Sequence, residues 1–168
     1  MKQPHITEKP ELTVAGRRRA FIHGLSADAN NHTVIGPLWC QFLEEAESVP
    51  HRVGAAMYGV ITSEPEEERH HPDALQYLAG VAVDAVEALP TGLMAQTIPA
   101  ATFAVFTHVG PIANIEQMLR EAYRVWLPES EYEHFGIADV EVYDHRFHGD
   151  SEDSEMEYWI SVRRRTNG

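Results

Sequence analysis

The same series of hydrophobic patterns occurs twice along this chain. In the first half, a strand-like segment at residues 12–22 is followed by apolar residues at helical spacing, among them Leu38 and Phe42. Two further strand-like segments follow at residues 55–62 and 75–83, separated by a polar loop. The order is therefore strand, helix, strand, strand.

The second half repeats this order without a residue-by-residue repeat. Residues 93–108 are rich in β-branched and aromatic side chains, and Pro99 predicts a bulge or a break in that strand. A helix is expected from Pro111 to the proline at position 128, and strands at residues 140–143 and 156–162 close the series. Two such units predict an α+β domain with one antiparallel sheet and both helices on one face. The other face of the sheet is then expected to form a groove.

Length and charge limit the classes of function. We expect a single domain at residues 10–163, with a flexible N-terminus at residues 1–9 and a C-terminal tail at residues 164–168. The formal net charge of −13 disfavours direct binding to nucleic acid or to anionic membranes. The N-terminal residues carry no apolar signal segment, so the expected compartment is the cytoplasm.

Few residues suggest chemistry of their own. The chain has one cysteine, Cys40, which excludes an internal disulfide and a multi-thiolate zinc site. A surface metal site at His145, His148 and Asp150 is less favoured than solvated loop residues, so neither a metal nor another cofactor is expected.

Alternation along the last two strands points to a set of polar and aromatic side chains. Glu141 and Tyr143 alternate with valines, and Glu157 and Trp159 alternate with apolar residues. If the aliphatic sides lie under the helices, these four side chains face the groove together. Rings with interleaved carboxylates suit a planar cationic ligand, although alternation alone supports an ordinary solvated sheet face equally well.

Eight segments, in order along the chain, resemble one family. The segments are LWCQF (38–42), MYGV (57–60), QYLAGVAV (76–83), LPTG (89–92), TIPAATFAVFTHVG (97–110), WLPES (126–130), VEVYDHRF (140–147) and SEMEYWISV (154–162). The chain thus resembles the gyrase-inhibitor-like (GyrI-like) small-molecule-binding family, also found as the effector-binding domain of AraC-type and multidrug-sensing MerR-type bacterial transcription regulators.

The resemblance implies a fold and a site. The fold is two β-α-β-β repeats related by a pseudo-twofold axis with a ligand groove, and the characteristic acid of the family corresponds to Glu141, followed by Tyr143. Ser161 and Phe103 depart from the family, which commonly has proline and tyrosine there, and the second change puts in doubt which ligands are accepted. The resemblance covers the whole chain and leaves no preceding helix-turn-helix, so this sequence is not expected to bind an operator by itself.

Three functions from different classes follow from the resemblance. The favoured hypothesis is a stand-alone sensor or sequestering module that holds a small apolar or cationic, multidrug-type molecule against a buried glutamate. The predicted ligand-binding residues are Glu141, Tyr143, Trp159, Glu157, Tyr58, Tyr77, Phe106, Trp39 and Trp126. On helical spacing alone, Trp39 and Trp126 suit core packing better than ligand contact.

The other two hypotheses are less favoured than binding. Some relatives resemble hydrolases of cyclopropanoid genotoxic compounds, for which Glu141 would orient water and Tyr58 or Tyr77 would donate a proton. The gyrase-inhibitor namesake suggests instead a protein partner, DNA gyrase or a regulator, attracted by the acidic surface. The sequence leaves the oligomeric state and the natural ligand open.

Overall fold

The computed structural model describes residues 3–166 as one eight-stranded antiparallel sheet with two helical segments. The strands are His5–Lys9 (β1), Leu12–Ile22 (β2), Arg52–Ser63 (β3), Ala74–Val83 (β4), Met94–Ile98 (β5), Ala101–Val109 (β6), Tyr132–Tyr143 (β7) and Glu155–Arg164 (β8). Their order in the sheet is β1-β6-β8-β7-β3-β4-β2-β5, so β3 and β7 meet at the centre as the junction of the two repeats.

Two helical segments connect the strands. The first contains α1 (Asn31–Leu43) and a 3₁₀ turn at Ala46–Ser48. The second runs through a 3₁₀ turn (Ile112–Asn114), α2 (Ile115–Glu121), a π-helical turn (Ala122–Trp126) and α3 (Leu127–Glu129). No helix in residues 3–166 is both long and apolar enough to cross a membrane.

The predicted α+β architecture of two β-α-β-β units is confirmed, and three local details differ. Pro128 does not stop the helix but lies in the first turn of α3, since the wider π turn before it leaves room for the proline ring. Residues 5–9, expected to be flexible, form the edge strand β1, which pairs with β6. Of the expected tail, Arg164 ends β8, and residues 1, 2, 167 and 168 lie outside the described range.

The expected groove face of the sheet is filled by the protein's own core. Val14 of β2, Ile98 of β5 and Phe103 of β6 belong to one buried cluster, although β6 and β5 lie near opposite ends of the sheet. The sheet must therefore curl until its two ends approach each other over this cluster. The prediction of a groove on this face is wrong because curling closes it.

Both helical segments lie on the other side of the curled sheet. Phe42 of α1 packs with Tyr77 of β4, and Met118 of α2 packs with Ile160 of β8, in two separate clusters. Because the sheet curls away from the helices, they cover its two flanks and leave its centre uncovered between them. A groove on the helix side of the sheet follows from this arrangement.

The pairing of β7 with β8 corrects the predicted sharing of faces. Val140 pairs with Trp159, and Glu141 pairs with Tyr158, so the members of each pair point to the same side. Glu141 and Tyr143 therefore face the helices, whereas Glu157 and Trp159 face the opposite side. The prediction that all four share one face is wrong because alternation orders residues within a strand but does not fix the register between strands.

Candidate ligand-binding cavity

A cavity of about 1030 Å³ opens between α1 and the second helical segment. Its walls include Ile35 and Trp39 from α1 and Ile115 and Leu119 from α2, while its floor comes from the central strands. The lining is mainly apolar with a few polar groups, as in cavities that bind small organic molecules.

Glu141 lies on the floor of this cavity and is held by two tyrosines. Its side chain is 8% exposed, and its Oε2 atom accepts hydrogen bonds from the hydroxyls of Tyr77 and, at 2.7 Å, Tyr143. The indole Nε1 of Trp39 donates to the Tyr77 hydroxyl at 2.8 Å. No described residue donates a hydrogen bond to Oε1.

A glycine makes this network sterically feasible. Tyr77 lies on β4 and Glu141 on β7, with β3 between them, so the phenol must cross β3 to reach the carboxylate. It crosses at Gly59, where an added Cβ would lie 2.7 Å from Glu141 Oε2 and closer still to the Tyr77 hydroxyl. The close approach of the tyrosine to β3 therefore requires glycine at this position.

Burial governs the electrostatics of the carboxylate. Loss of hydration raises the pKa of Glu141, and the hydrogen bonds from Tyr77 and Tyr143 only partly oppose this effect. The pKa values of both tyrosines are raised well above the ordinary value, first by burial and then by the charge of Glu141. Both hydroxyls are therefore protonated donors, and no Lys, Arg or His among residues 3–166 pairs with the carboxylate.

Aromatic rings stand beside this carboxylate. The rings of Trp39 and Tyr143 lie 5.5 Å apart, and those of Tyr143 and Phe147 lie 4.7 Å apart, both at steep angles. All three residues line the cavity together with Glu141. A desolvated carboxylate within a set of rings provides both countercharge and cation–π attraction for an apolar cation.

The structure brings part of the predicted set together. The cavity is lined by three of the predicted residues, Trp39, Glu141 and Tyr143. Trp39 belongs to α1, and its side chain forms part of the cavity wall. Tyr77 lies directly behind Glu141 and is fully buried, and its hydroxyl is already bonded to Trp39 and Glu141.

Three predicted residues lie on the far side of the sheet. Tyr58 and Trp159 are packed against the cluster inside the curl, and Trp159 Nε1 donates to Glu157 at 2.8 Å. The ammonium of Lys9 lies 4.2 Å from the centre of the Trp159 ring, and Arg146 donates to Glu157 at 2.9 Å. The protein's own cations thus occupy the aromatic and carboxylate groups that suggested a ligand site here.

Phe106 of β6 packs against Trp126 of the second helical segment. Their ring centres are 5.3 Å apart, Trp126 also stacks on Tyr132, and neither Phe106 nor Trp126 lines the cavity. These two residues, predicted to contact the ligand, therefore pack in the core and do not line this cavity.

A second carboxylate in the cavity was missed by the sequence analysis. Asp139 is 5% exposed and accepts hydrogen bonds from the Tyr123 hydroxyl, from His134 Nε2 at 3.0 Å and from the backbone N–H of Ser161 at 3.0 Å. The bond to Asp139 raises the pKa of His134, against the effect of burial. Strict alternation back from Glu141 places Asp139 on the same face, so this residue was within reach of the sequence analysis.

Other chemistry finds less support in this cavity. No group of three or more His, Cys, Asp or Glu side chains between residues 3 and 166 is placed to hold a metal ion. Of the two tyrosines named for a hydrolase, Tyr58 faces the other side of the sheet and Tyr77 is enclosed behind Glu141.

Comparison with known proteins assigns both the fold and the family. The family model for integron-associated effector binding proteins matches residues 5–162, nearly the whole chain. This match confirms the resemblance to small-molecule-binding effector domains inferred from the sequence.

Similar proteins include one relative by sequence and two solved structures that share the fold. The transcriptional regulator BrlR of Pseudomonas aeruginosa is 29% identical over 159 residues, which cover 94% of this chain and 54% of BrlR. SAV2435, solved bound to tetraphenylphosphonium, superposes with a TM-score of 0.75 at 16% identity, over 96% of this chain and 94% of its own. An integron cassette protein from the mobile metagenome of Vibrio cholerae gives a TM-score of 0.68 at 17% identity, over 96% and 97% of the two chains.

Proposed function

This chain belongs to the family of integron-associated effector binding proteins, and we propose that it binds an apolar, aromatic cation against Glu141. The observation that carries the proposal is a carboxylate that is 8% exposed, lines a cavity and has no cationic partner among the described residues. Burying a charge without a countercharge costs free energy. A cation that binds in the cavity would pair with the carboxylate and so offset a cost that is already present in the free protein.

The shape and lining of the cavity support an aromatic rather than a small inorganic cation. Its volume of about 1030 Å³ is at the upper end of the range usual for drug-sized ligands. Trp39, Tyr143 and Phe147 offer ring faces and edges on the same side as Glu141. SAV2435, which shares the fold, binds tetraphenylphosphonium, a cation of this class.

We propose that ligand binding serves sensing or sequestration. BrlR is a transcriptional regulator, and this chain spans about half of its length. In a sensing role, a ligand that contacts both helical segments would favour one separation between them and so transmit occupancy to a regulator. In sequestration, the same cavity would lower the free concentration of a toxic cation without any partner.

Tryptophan fluorescence tests the proposed binding directly. All three tryptophans are described, and Trp39 is the one that lines the cavity. Addition of tetraphenylphosphonium is expected to change the emission in a saturable way, and Trp39→Phe should remove most of that change. A signal that never saturates, or one that survives intact in Trp39→Phe, would argue against this cavity as the binding site.

Affinity for such a cation is expected to fall as the solution is acidified. Burial raises the pKa of Glu141, so its carboxylate takes up a proton at a higher pH than an exposed glutamate, and the cation then loses its countercharge. Tetraphenylphosphonium does not titrate, so calorimetry at a series of pH values from acidic to neutral reports protein groups alone.

Glu141→Gln separates the contribution of this carboxylate from that of His134. The pKa of His134 is also raised, and its positive charge in acid would oppose a cation in the same cavity. The variant is expected to retain only the weaker dependence due to His134. An unchanged pH profile in Glu141→Gln would show that the carboxylate does not control binding.

A further inference from the structure

We propose that His134 forms a second polar subsite in the cavity and selects cations that also carry an N–H or O–H donor. This inference rests on the proposed function, because it concerns the other end of the same ligand. The preferred class is therefore an aromatic cation with an amino or hydroxyl group on its apolar body, rather than an apolar cation alone.

A bulge in β7 brings His134 into the cavity. His134 pairs with Val162 and Asp139 pairs with Ile160, so five steps along β7 match two along β8. The three extra residues include Gly136, whose φ of +78° allows the chain to fold out and return. In a regular strand, two residues that are five positions apart point to opposite faces. Because of the bulge, His134 and Asp139 instead point to the same face of the sheet.

The two acidic residues on this face have different surroundings. Asp139 and Glu141 are two residues apart on β7, roughly 7 Å between Cα atoms at the usual rise of a strand. Oε1 of Glu141 accepts no hydrogen bond from a described residue. In contrast, both carboxylate oxygens of Asp139 accept hydrogen bonds, from Tyr123, His134 and Ser161. A ligand near Asp139 therefore meets His134 rather than the carboxylate itself.

Hydrogen bonding fixes which nitrogen of His134 is available. A carboxylate with several donors around it accepts only, so Nε2 of His134 must carry the hydrogen that points to Asp139. In the neutral ring, Nδ1 is then an acceptor. No described residue bonds to Nδ1, and the His134 side chain remains 43% exposed where it lines the cavity.

Neighbouring groups hold the ring and do not compete for Nδ1. The Tyr123 ring meets the imidazole edge-on with centres 6.1 Å apart. Its hydroxyl is occupied by Asp139 and lies 3.1 Å from the hydroxyl of Tyr158. The acceptor Nδ1 is therefore fixed in position before a ligand binds. A fixed acceptor favours ligands that carry a donor at the matching position.

A matched pair of dyes tests this subsite. Ethidium carries two aromatic amino groups, and the phenanthridinium cation that lacks them has the same charge and nearly the same shape. At a pH well above the raised pKa of His134, where its ring is neutral, we expect wild type to prefer ethidium by about fivefold, the effect of one added hydrogen bond. His134→Phe should abolish this preference, and His5→Phe, at an exposed histidine of β1 that does not line the cavity, should leave it unchanged.

A measurement on wild type keeps the inference testable if the variant folds poorly. As the pH falls through the raised pKa of His134, Nδ1 gains a hydrogen and the preference for ethidium should disappear. The other titratable or charged groups that line the cavity act on both cations alike if their charge changes; they are His23, His32, Glu116, Tyr123, Arg124, Asp139, Glu141, Tyr143, Asp150 and Tyr158. Their ratio of affinities therefore reports His134.

The outcomes separate this inference from the function it depends on. If neither cation binds wild type, the proposed function is wrong and the subsite falls with it. If both cations bind but the preference is absent at high pH, or survives in a folded His134→Phe, the cavity binds cations without this subsite and the inference alone is wrong.

Discussion

Replacing Glu141 by Gln is expected to weaken the binding of tetraphenylphosphonium by about 100-fold. A unit charge about 5 Å from a carboxylate in an effective dielectric of about 20 gains about 3 kcal/mol, which corresponds to that factor. A neutral ligand of similar shape, triphenylphosphine oxide, should change by less than about threefold, since the lost term is Coulombic. Calorimetric titration of both compounds into both proteins measures the difference, and equal losses for the two ligands would contradict a countercharge role.

The stability of the same variant provides its folding control. Burial raises the pKa of Glu141, so the folded protein holds this proton more tightly than the unfolded chain does. The free energy of unfolding contributed by Glu141 therefore declines as the pH rises from the ordinary carboxyl pKa through the raised one. Glutamine carries no such charge and still accepts from Tyr77 and Tyr143, so the ligand-free variant should be at least as stable as wild type at neutral pH.

Replacing Gly59 by Ala is expected to reduce the free energy of unfolding by about 2–4 kcal/mol, as overpacking does in a buried site. The new Cβ would lie 2.7 Å from Glu141 Oε2 and overlap the Tyr77 hydroxyl, and neither group can move without leaving the other. Affinity for tetraphenylphosphonium should fall as well, because the carboxylate loses the donor that positions it. Denaturant unfolding and calorimetric titration measure the two effects.

Gly36→Ala is the matched control for this substitution. Gly36 lies within α1, where an added Cβ would meet no atom within 4 Å, so alanine should stabilise the protein by about 0.5–1 kcal/mol. Adding Tyr77→Phe to Gly59→Ala removes the overlapping hydroxyl and should restore part of the lost stability. A Gly59→Ala protein as stable as wild type, with its affinity intact, would show that Tyr77 need not cross β3 at this point.

Local sequence signals predicted most elements of the fold. Apolar spacing around Leu38 and Phe42 identified α1, and Pro99 correctly marked the break between β5 and β6. The strand β1 was missed because its polar alternation offers little apolar surface, and it is stabilised by pairing with β6. The curl of the sheet was also missed, since it depends on the burial of residues such as Val14 and Phe103 in one cluster, and these residues are far apart along the chain.

The sequence predicted which types of residue form the candidate site but not which face of the sheet each of them occupies. The family resemblance pointed to Glu141 and Tyr143, which line the cavity, but alternation combined them with Trp159 and Glu157 from the opposite face. Which residues of two neighbouring strands share a face depends on the register of their pairing, and alternation within each strand does not give that register. The position of His134 in the cavity could not be predicted either, because it depends on a bulge in β7. The sequence signal for this bulge is Gly136.

A crystal structure with bound tetraphenylphosphonium tests the central claim most directly. We expect density for the cation in the cavity between α1 and the second helical segment, in contact with the rings of Trp39 and Tyr143 and facing Oε1 of Glu141. Density instead on the far side of the sheet, where the cation would displace Lys9 from Trp159, would contradict the assignment of this cavity as the binding site.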